Sequence, residues 1–180
     1  MKRNLLLAAG LAAAAFAAPA CAQLSSSGLY VGLSSGQSHF ENVCSGVAEC
    51  DDRDTNGSLF AGFQFSRYVS LEGAWRFFGH ARIANASVKA NAVEADAVLN
   101  LPLYKGFSLL GRVGVFHGNM KGPGANERTN NVTFGWGGQY DFDRWALRLE
   151  WQRHPELGGG DFGAKTDIDS TNLGILFRFK

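Results

Sequence analysis

The sequence predicts an all-β fold, an eight-stranded antiparallel up-and-down transmembrane β-barrel, from three observations. Eight segments alternate between polar and apolar residues, and breaks rich in Gly, Asn, Asp and Pro separate them. The breaks are alternately short and long. One face of each segment is apolar and aromatic, and its side chains are too bulky for the inside of a narrow barrel. These patterns together indicate strands that cross a membrane.

The first 22 residues have the organisation of a secretory signal peptide. A basic start is followed by an apolar run over 5–18 and by the small residues of Ala20-Cys21-Ala22. We therefore expect cleavage after Ala22 and one barrel domain over 23–180. A lipid anchor on Cys21 is the alternative, but the residues before it match a lipoprotein motif poorly.

Charge and hydropathy argue against a nucleic-acid-binding protein and against a protein that crosses a membrane with helices. The net charge is +1 at pH 7, so no strong field draws the chain to nucleic acid. Beyond the signal peptide, no stretch reaches the roughly 20 consecutive apolar residues of a membrane helix. A barrel explains the modest hydropathy, because lipid-facing and lumen-facing residues alternate along each strand.

The strands and their connections follow from the alternation of polar and apolar residues. The strands are predicted at 28–39, 57–66, 69–79, 92–103, 107–117, 130–142, 145–154 and 168–180. The short connections lie around 66–68, 104–106 and 143–144, and the long ones at 40–56, 80–91, 118–129 and 155–167. Short periplasmic turns that alternate with longer external loops are typical of outer-membrane barrels.

The two faces of the strands differ in bulk and polarity. The apolar face includes, one from each strand, Leu33, Leu59, Trp75, Leu99, Val113, Phe134, Leu149 and Leu173. The other face is rich in Gly, Ser and Ala, which suit the interior of an eight-stranded barrel. We therefore expect the apolar face to contact lipid. Aromatic residues stand near both strand ends, as membrane-interface girdles require: Phe65, Phe107, Phe142, Trp145 and Phe179 at the short connections, and Phe77 and Trp151 at the long ones.

Charged residues are interspersed on the predicted lumen face. They are the acids Glu72, Glu94, Asp96 and Glu150 and the arginines Arg76, Arg112, Arg148 and Arg178. A narrow lumen cannot hydrate so many charges, so we expect them to pair in a salt-bridge network that plugs the barrel. Paired acids also serve in glycoside hydrolysis. Cationic partners and a packed lumen disfavour that use, so we predict no catalytic residue, no metal ligand and no cofactor.

Four motifs resemble those of the OmpA-type outer-membrane β-barrel family. They are LEGAW at 71–75, LGRVG at 110–114, ALRLEWQ at 146–152 and LGILFRF at 173–179. The resemblance covers the mature chain, and it implies that Glu72, Arg112, Arg148 and Glu150 belong to a polar lumen network. Two departures are expected to matter. We expect no peptidoglycan-binding domain after the barrel, and the aromatic that the assembly machinery of this family recognises is expected at Phe179, the penultimate residue.

The first long loop contains an acidic cluster and a pair of cysteines. Cys44 and Cys50 are expected to form a disulfide beyond the inner membrane, with two free thiols as the alternative. The acids could bind a cation or a basic partner, but a merely solvated loop is the simpler interpretation. All four histidines fall at long-connection ends of strands: His39, His80, His117 and His154. A metal-binding or pH-sensitive rim is conceivable, but mixed face assignments argue against convergence.

Three classes of function are compatible with these sequence patterns. The first is a structural or surface-exposed barrel in the Gram-negative outer membrane whose loops meet an extracellular ligand or host protein. The second is a narrow solute or ion pore, which the paired charges disfavour. The third is a lipid-modifying enzyme, but the His-x-Ser pair of such barrels is replaced by His154-Pro155-Glu156. Expected partners are outer-membrane lipid, lipopolysaccharide and the outer-membrane assembly machinery.

Overall fold

The computed structural model describes residues 28–41, 50–83, 86–122, 125–157 and 166–179. The barrel strands are β1 Gly28–Phe40, β2 Arg53–Gln64, β3 Val69–Ile83, β4 Ala86–Tyr104, β5 Phe107–Gly122, β6 Ala125–Phe142, β7 Trp145–Leu157 and β8 Thr166–Arg178. A two-residue strand, Cys50–Asp51, pairs with the end of β3. Within the described ranges, none of the chain forms a helix of the length and hydropathy that crossing a membrane requires. The signal peptide expected over 1–22 and Cys44 lie outside these ranges.

The eight strands close into a ring. Each pairs antiparallel with the next along the chain, and β8 pairs with β1. Closure gives every strand two hydrogen-bonded neighbours, which a sheet in hydrocarbon requires because unpaired backbone groups are costly there. The predicted eight-stranded antiparallel up-and-down barrel is therefore confirmed.

The connections define two ends of the barrel. The short-turn end carries the connections at 65–68, 105–106 and 143–144, as the sequence predicts. In one of these turns, Lys105 and Gly106 have φ of 39° and 84°, the left-handed backbone of a two-residue hairpin. The loop end is the opposite one and carries the connections at 41–52, 84–85, 123–124 and 158–165.

The stagger of the strands follows from the ladder partners. Starting at Leu29, successive partners around the ring are Phe63, Leu71, Ala97, Val113, Phe134, Arg153, Asp169 and finally His39. After one circuit of the ring, the register has shifted by ten residues along β1, from position 29 to position 39. With strands about 4.8 Å apart and a rise of about 3.3 Å per residue, this stagger tilts the strands by about 40°.

The apolar face points outward around the middle of the barrel. Trp75 and Leu149 are 53% and 56% exposed, whereas Glu72 and Arg148 are each 3% exposed. The predicted orientation is confirmed, because a water-soluble barrel would bury the first pair and expose the second. The outward apolar side chains form a continuous belt, which on β4 runs from Val93 to Leu103. At the tilt above, that span is about 25 Å high, the height typical of outer-membrane barrels.

The strands continue past this belt at the loop end, which corrects two predicted connections. The segments 80–91 and 118–129, predicted as loops, are strand at every described position, and 84–85 and 123–124 lie outside the described residues. These segments are rich in polar residues, which favoured loops in the sequence. Their side chains still alternate between the two faces, but here the polar side chains point outward and the apolar ones point inward. Lys89 and Lys121 point to water, while Val88, Ala90 and Met120 point inward. Beyond the membrane the outside of a strand contacts water, so the rule of soluble barrels applies there.

Small residues on the lumen face allow neighbouring strands and side chains to approach closely. A Cβ at Gly137 would lie 2.2 Å from the carbonyl oxygen of Leu149. We expect Gly137→Ala to destabilise the barrel by about 1–3 kcal/mol, because the β6–β7 pair must separate. Urea unfolding in lipid vesicles, followed by gel mobility, measures this cost. Gly111→Ala is the matched control, since a Cβ there meets nothing within 4 Å. Equal stability of both variants contradicts the packing argument.

Candidate functional site: the lumen and the loop end

Arg112 on β5 is the centre of the largest ion cluster in the lumen. Its guanidinium donates to Asp96 Oδ2 at 2.9 Å, to Glu72 Oε2 at 2.6 Å and to Glu150 Oε1 at 2.9 Å. These partners come from β4, β3 and β7, so one side chain joins opposite walls of the barrel. A guanidinium suits this position, because its planar fork of donors can hold several carboxylates at once.

Arg148 extends this cluster toward the short-turn end. It donates to Glu72 Oε1 at 2.5 Å and to Gln139 Oε1 at 2.9 Å, while the Tyr30 hydroxyl donates to the same Glu72 oxygen at 2.7 Å. Both oxygens of Glu72 are therefore occupied by donors. We call the group of Arg112, Arg148, their acids and these two polar partners the lower cluster.

A second group, the upper cluster, lies nearer the loop end. Arg76 Nε donates to Glu94 Oε1 at 2.9 Å, and its Nη2 donates to Gln152 Oε1 at 2.7 Å. His154 Nε2 lies 2.6 Å from the same oxygen of Glu94, and Gln152 Nε2 also contacts Thr133 Oγ1 at 3.0 Å. The histidine ring stacks edge-on against Phe78 and Phe116. The upper cluster thus ends on its loop side in aromatic side chains.

An apolar layer covers the upper cluster. It consists of Phe40, Phe78, Val88, Ala90, Ala92, Phe116, Met120, Leu157 and Ile168, all buried inside the barrel. The sequence pattern did not predict this layer, because most of these positions were expected in loops. The sequence pattern that indicates this layer is an alternation of small or apolar residues with polar ones. It occurs in Val88-Lys89-Ala90-Asn91 and in Phe116-His117-Gly118-Asn119-Met120.

The predicted lumen charges thus come together with one exception. Seven of the eight lie in the lower and upper clusters, while Arg178 lies at the short-turn end. There it contacts Asp141 Oδ1 at 2.7 Å, and both side chains are partly exposed. Tyr30, Gln139, Gln152 and His154 were not predicted as members of the network. Their signal is that each is a polar residue on the lumen face of a strand.

Two spaces lie inside the described part of the barrel toward the short-turn end. A vestibule of about 460 Å³ opens at the short-turn end, where Gln64, Asn100, Ser108 and Arg178 contribute to its wall. The next space inward, bordered by Tyr30 and Arg148, is too small to hold a water molecule. The ion clusters and the apolar layer lie above it, toward the loop end.

The loop end carries a separate charged cluster on the outer surface above the belt. Arg153 contacts Glu41 at 2.5 Å, Asp167 at 2.9 Å and Asp169 at 3.5 Å. A hydrogen bond from the Glu156 backbone N–H, together with Arg153, holds the pKa of Asp167 below its usual range. This cluster ties the end of β7 to the ends of β1 and β8. Because all three acids contact Arg153, the cluster joins these strand ends and does not form a free cation-binding site.

The four histidines are separated by the structure. His39 and His80 lie 3.5 Å from Asp52 and 3.2 Å from Asp54, and His117 lies 2.7 Å from Asn130. His154 is fully buried inside the lumen, so it does not share an external rim with the other three. In the described ranges, no group of three or more metal-ligating side chains comes together.

The comparison with protein families agrees with this architecture. The model of the family described as outer membrane protein beta-barrel domain matches residues 8–179 of the chain. No curated protein matches the chain in sequence. The OmpA-type resemblance inferred from the four motifs is therefore confirmed at the level of the barrel family.

Several solved structures share the fold at low sequence identity. Neisserial surface protein A aligns with a TM-score of 0.65 and 11% identity over 84% of this chain and 97% of that one. Ail, the attachment invasion locus protein of Yersinia pestis, aligns with a TM-score of 0.59 and 15% identity, over 85% and 99%. The N-terminal barrel of OprF from Pseudomonas aeruginosa gives 0.55 and 14%, over 86% and 100%. The outward apolar belt, the closed eight-stranded ring and the family match agree, and the chain belongs to the outer-membrane β-barrel protein family.

Proposed function

We propose that this protein is a closed surface barrel, which has a structural or interaction role through its loop end and does not conduct solutes. The observation that carries the proposal is the buried ion network that crosses the lumen. Arg112 joins carboxylates from three strands, and the upper cluster and the apolar layer lie beyond it toward the loop end. A path for solutes would have to break buried ion pairs, which costs several kcal/mol for each uncompensated charge.

The surface role is supported by how the loop end is built. The strands β4, β5 and β6 extend beyond the lipid-facing belt at the loop end. Exposed connections on a rigid scaffold are where binding functions concentrate. Ail has been solved in complex with the heparin analogue sucrose octasulfate, and a comparable extracellular ligand is part of this proposal.

The remaining expectations belong to the same proposal. Residues 1–22 act as a cleaved signal peptide, and 23–180 form the mature barrel in the cell outer membrane. Cys44 and Cys50 form a disulfide at the loop end. The protein is not an enzyme. In support, His154 contacts Glu94 inside the lumen and does not stand on the lipid-facing strand end that a lipid-modifying barrel would use. A change in the mass of lipid A when the protein is overexpressed would instead favour a lipid-modifying enzyme.

Planar-bilayer recording tests the closed lumen. We expect the wild-type protein to insert without steady conductance, because ion pairs and apolar side chains occupy the lumen. A variant that combines Arg76→Ala, Phe78→Ala and Phe116→Ala with Arg112→Ala removes side chains from both clusters and from the apolar layer, and we expect it to conduct more often. Leu99→Ala, on the lipid face, is the control and should behave as the wild type. Steady ohmic conductance in most wild-type insertions would favour the narrow pore instead.

A further inference from the structure

The vestibule at the short-turn end combines a defined volume with polar groups that have no partner inside the described protein. Its volume is about 460 Å³, within the range of pockets that hold small ligands. Gln64, Asn100 and Ser108 contribute to its wall, and none of their side chains hydrogen-bonds to another described residue. Polar side chains that are buried or half-buried normally have partners, so these three are available to a ligand.

Two cations of the vestibule wall also lack a partner of opposite charge. Arg67 and Lys105 belong to two different short turns, and both side chains are exposed. The guanidinium carbon of Arg67 lies 4.7 Å from the centre of the Tyr68 ring, and the ammonium of Lys105 lies 5.1 Å from that of the Tyr104 ring. Among the described residues, no acid pairs with either cation. A contact with a ring face leaves most N–H donors free, so both cations can bind an anion.

A third cation in the wall, Arg178, contacts the one acid among the described wall residues. Its Nη1 lies 2.7 Å from Asp141 Oδ1, an oxygen that also accepts from Gln139 Nε2 at 2.8 Å. The Nε of Arg178 is buried and has no hydrogen-bond partner among the described residues. Three cations therefore face one acid in the described wall, and the acid is already shared by two donors. This excess of positive charge favours an anionic ligand.

The vestibule also borders the membrane interface. Leu103, Tyr104, Phe107 and Phe179 contribute to its wall, and their side chains are exposed on the outer surface of the barrel. Aromatic side chains at the end of a transmembrane strand lie at the level of the lipid headgroups. A headgroup of the adjoining leaflet is therefore at the right height to enter the vestibule.

We infer that the vestibule binds a phosphorylated polyol on the periplasmic side of the membrane. Its phosphate lies among Arg67, Lys105 and Arg178, since guanidinium and ammonium groups are the usual phosphate-binding side chains. Its hydroxyls hydrogen-bond to the two amides and the serine hydroxyl of the wall, which both donate and accept. Two sources present this chemistry: the headgroup of phosphatidylglycerol in the adjoining leaflet, and a soluble glycerol phosphate. The site lies at the opposite end from the loop-end role proposed above, so either proposal can fail without the other.

Calorimetric titration of the detergent-solubilised barrel tests this inference with one probe for each source. Glycerol phosphate is the soluble probe, and short-chain phosphatidylglycerol is the lipid probe. The cation variant is Arg67→Gln with Lys105→Gln. Each cation near a phosphate contributes roughly fivefold, so we expect this variant to bind about 25-fold more weakly whichever probe the wild type binds. Binding of the lipid probe alone supports the lipid source, and binding of glycerol phosphate supports the soluble one.

A variant of the neutral wall tests the polyol part of the ligand. Asn100→Leu removes an amide and keeps every cation. It should weaken binding of the polyol phosphate about fivefold and leave binding of inorganic phosphate unchanged, because a hydrogen bond to the polyol is lost and the phosphate contacts remain. An Asn100→Leu protein with unchanged affinity for the polyol phosphate overturns the assignment of a polyol.

A matched control separates the vestibule from general charge. Lys89→Gln with Lys121→Gln removes two positive charges from exposed positions near the loop end and should bind each probe as the wild type does. Gel mobility without boiling checks that every variant is folded. The inference is overturned by a wild type that binds neither probe, by a cation variant with wild-type affinity, or by a control that weakens binding as much as the cation variant does.

Discussion

Replacing Arg112 by Met is expected to destabilise the barrel by about 3–5 kcal/mol. The substitution removes the donor shared by Glu72, Asp96 and Glu150, and it leaves buried carboxylates near one another without their common cation. Arg148 still contacts Glu72, so part of the network survives. Urea unfolding in lipid vesicles, with the folded fraction read from gel mobility without boiling, measures the loss.

Two further variants show whether the buried charge is the cause. Arg178→Met removes an arginine whose ion pair with Asp141 is partly exposed, and it should cost about 1 kcal/mol or less. Adding Asp96→Asn and Glu150→Gln to Arg112→Met neutralises the stranded carboxylates, leaves Glu72 paired with Arg148, and should recover most of the loss. An Arg112→Met protein as stable as the wild type would show that the lower cluster does not hold the lumen together.

Leu99→Arg is the second change with a large expected effect. Leu99 lies near the middle of the belt on β4, and its side chain is 56% exposed on the outer surface. In a membrane barrel this position faces the centre of the bilayer, where an arginine costs about 2–4 kcal/mol. The same vesicle unfolding assay measures it.

The control for this change lies on the same face of the same strand. Asn91→Arg places the same side chain above the belt, where we expect a cost of about 0–1 kcal/mol. In a water-soluble barrel, Leu99→Arg would be a surface substitution with an effect within about 0.5 kcal/mol. Equal costs at the two positions would therefore contradict the membrane orientation, whatever the protein does.

The comparison of prediction and structure shows which features the local pattern contains. The number of strands, their antiparallel order and the outward direction of Trp75, Phe134 and Leu149 follow from alternation and side-chain bulk alone. These properties are local, because side chains along a strand alternate regardless of which strand is its neighbour. The membrane environment then requires closure of the ring, since an open sheet edge in hydrocarbon leaves backbone groups unpaired.

The lumen contacts could not be predicted in the same way, because they depend on stagger. The register shifts by ten residues around the barrel, from Leu29 to His39. This shift decides which side chains lie at the same height along the barrel axis. It brings Arg112 to Glu72, 40 residues away, and Arg148 to Glu72, 76 residues away, and it leaves Arg178 beside Asp141. Alternation fixes the face of a residue but not its height relative to other strands.

By itself, the sequence determined that eight strands form a barrel whose apolar belt faces lipid and whose lumen contains charges of both signs. Only the tertiary structure decided where the belt ends and where the strands end. At Val93 the outward face changes from apolar to polar, and β4 continues through Lys89 with its apolar residues turned inward. The physical reason is that the solvent around the strand changes from lipid to water at this level, and the favourable direction of an apolar side chain changes with it.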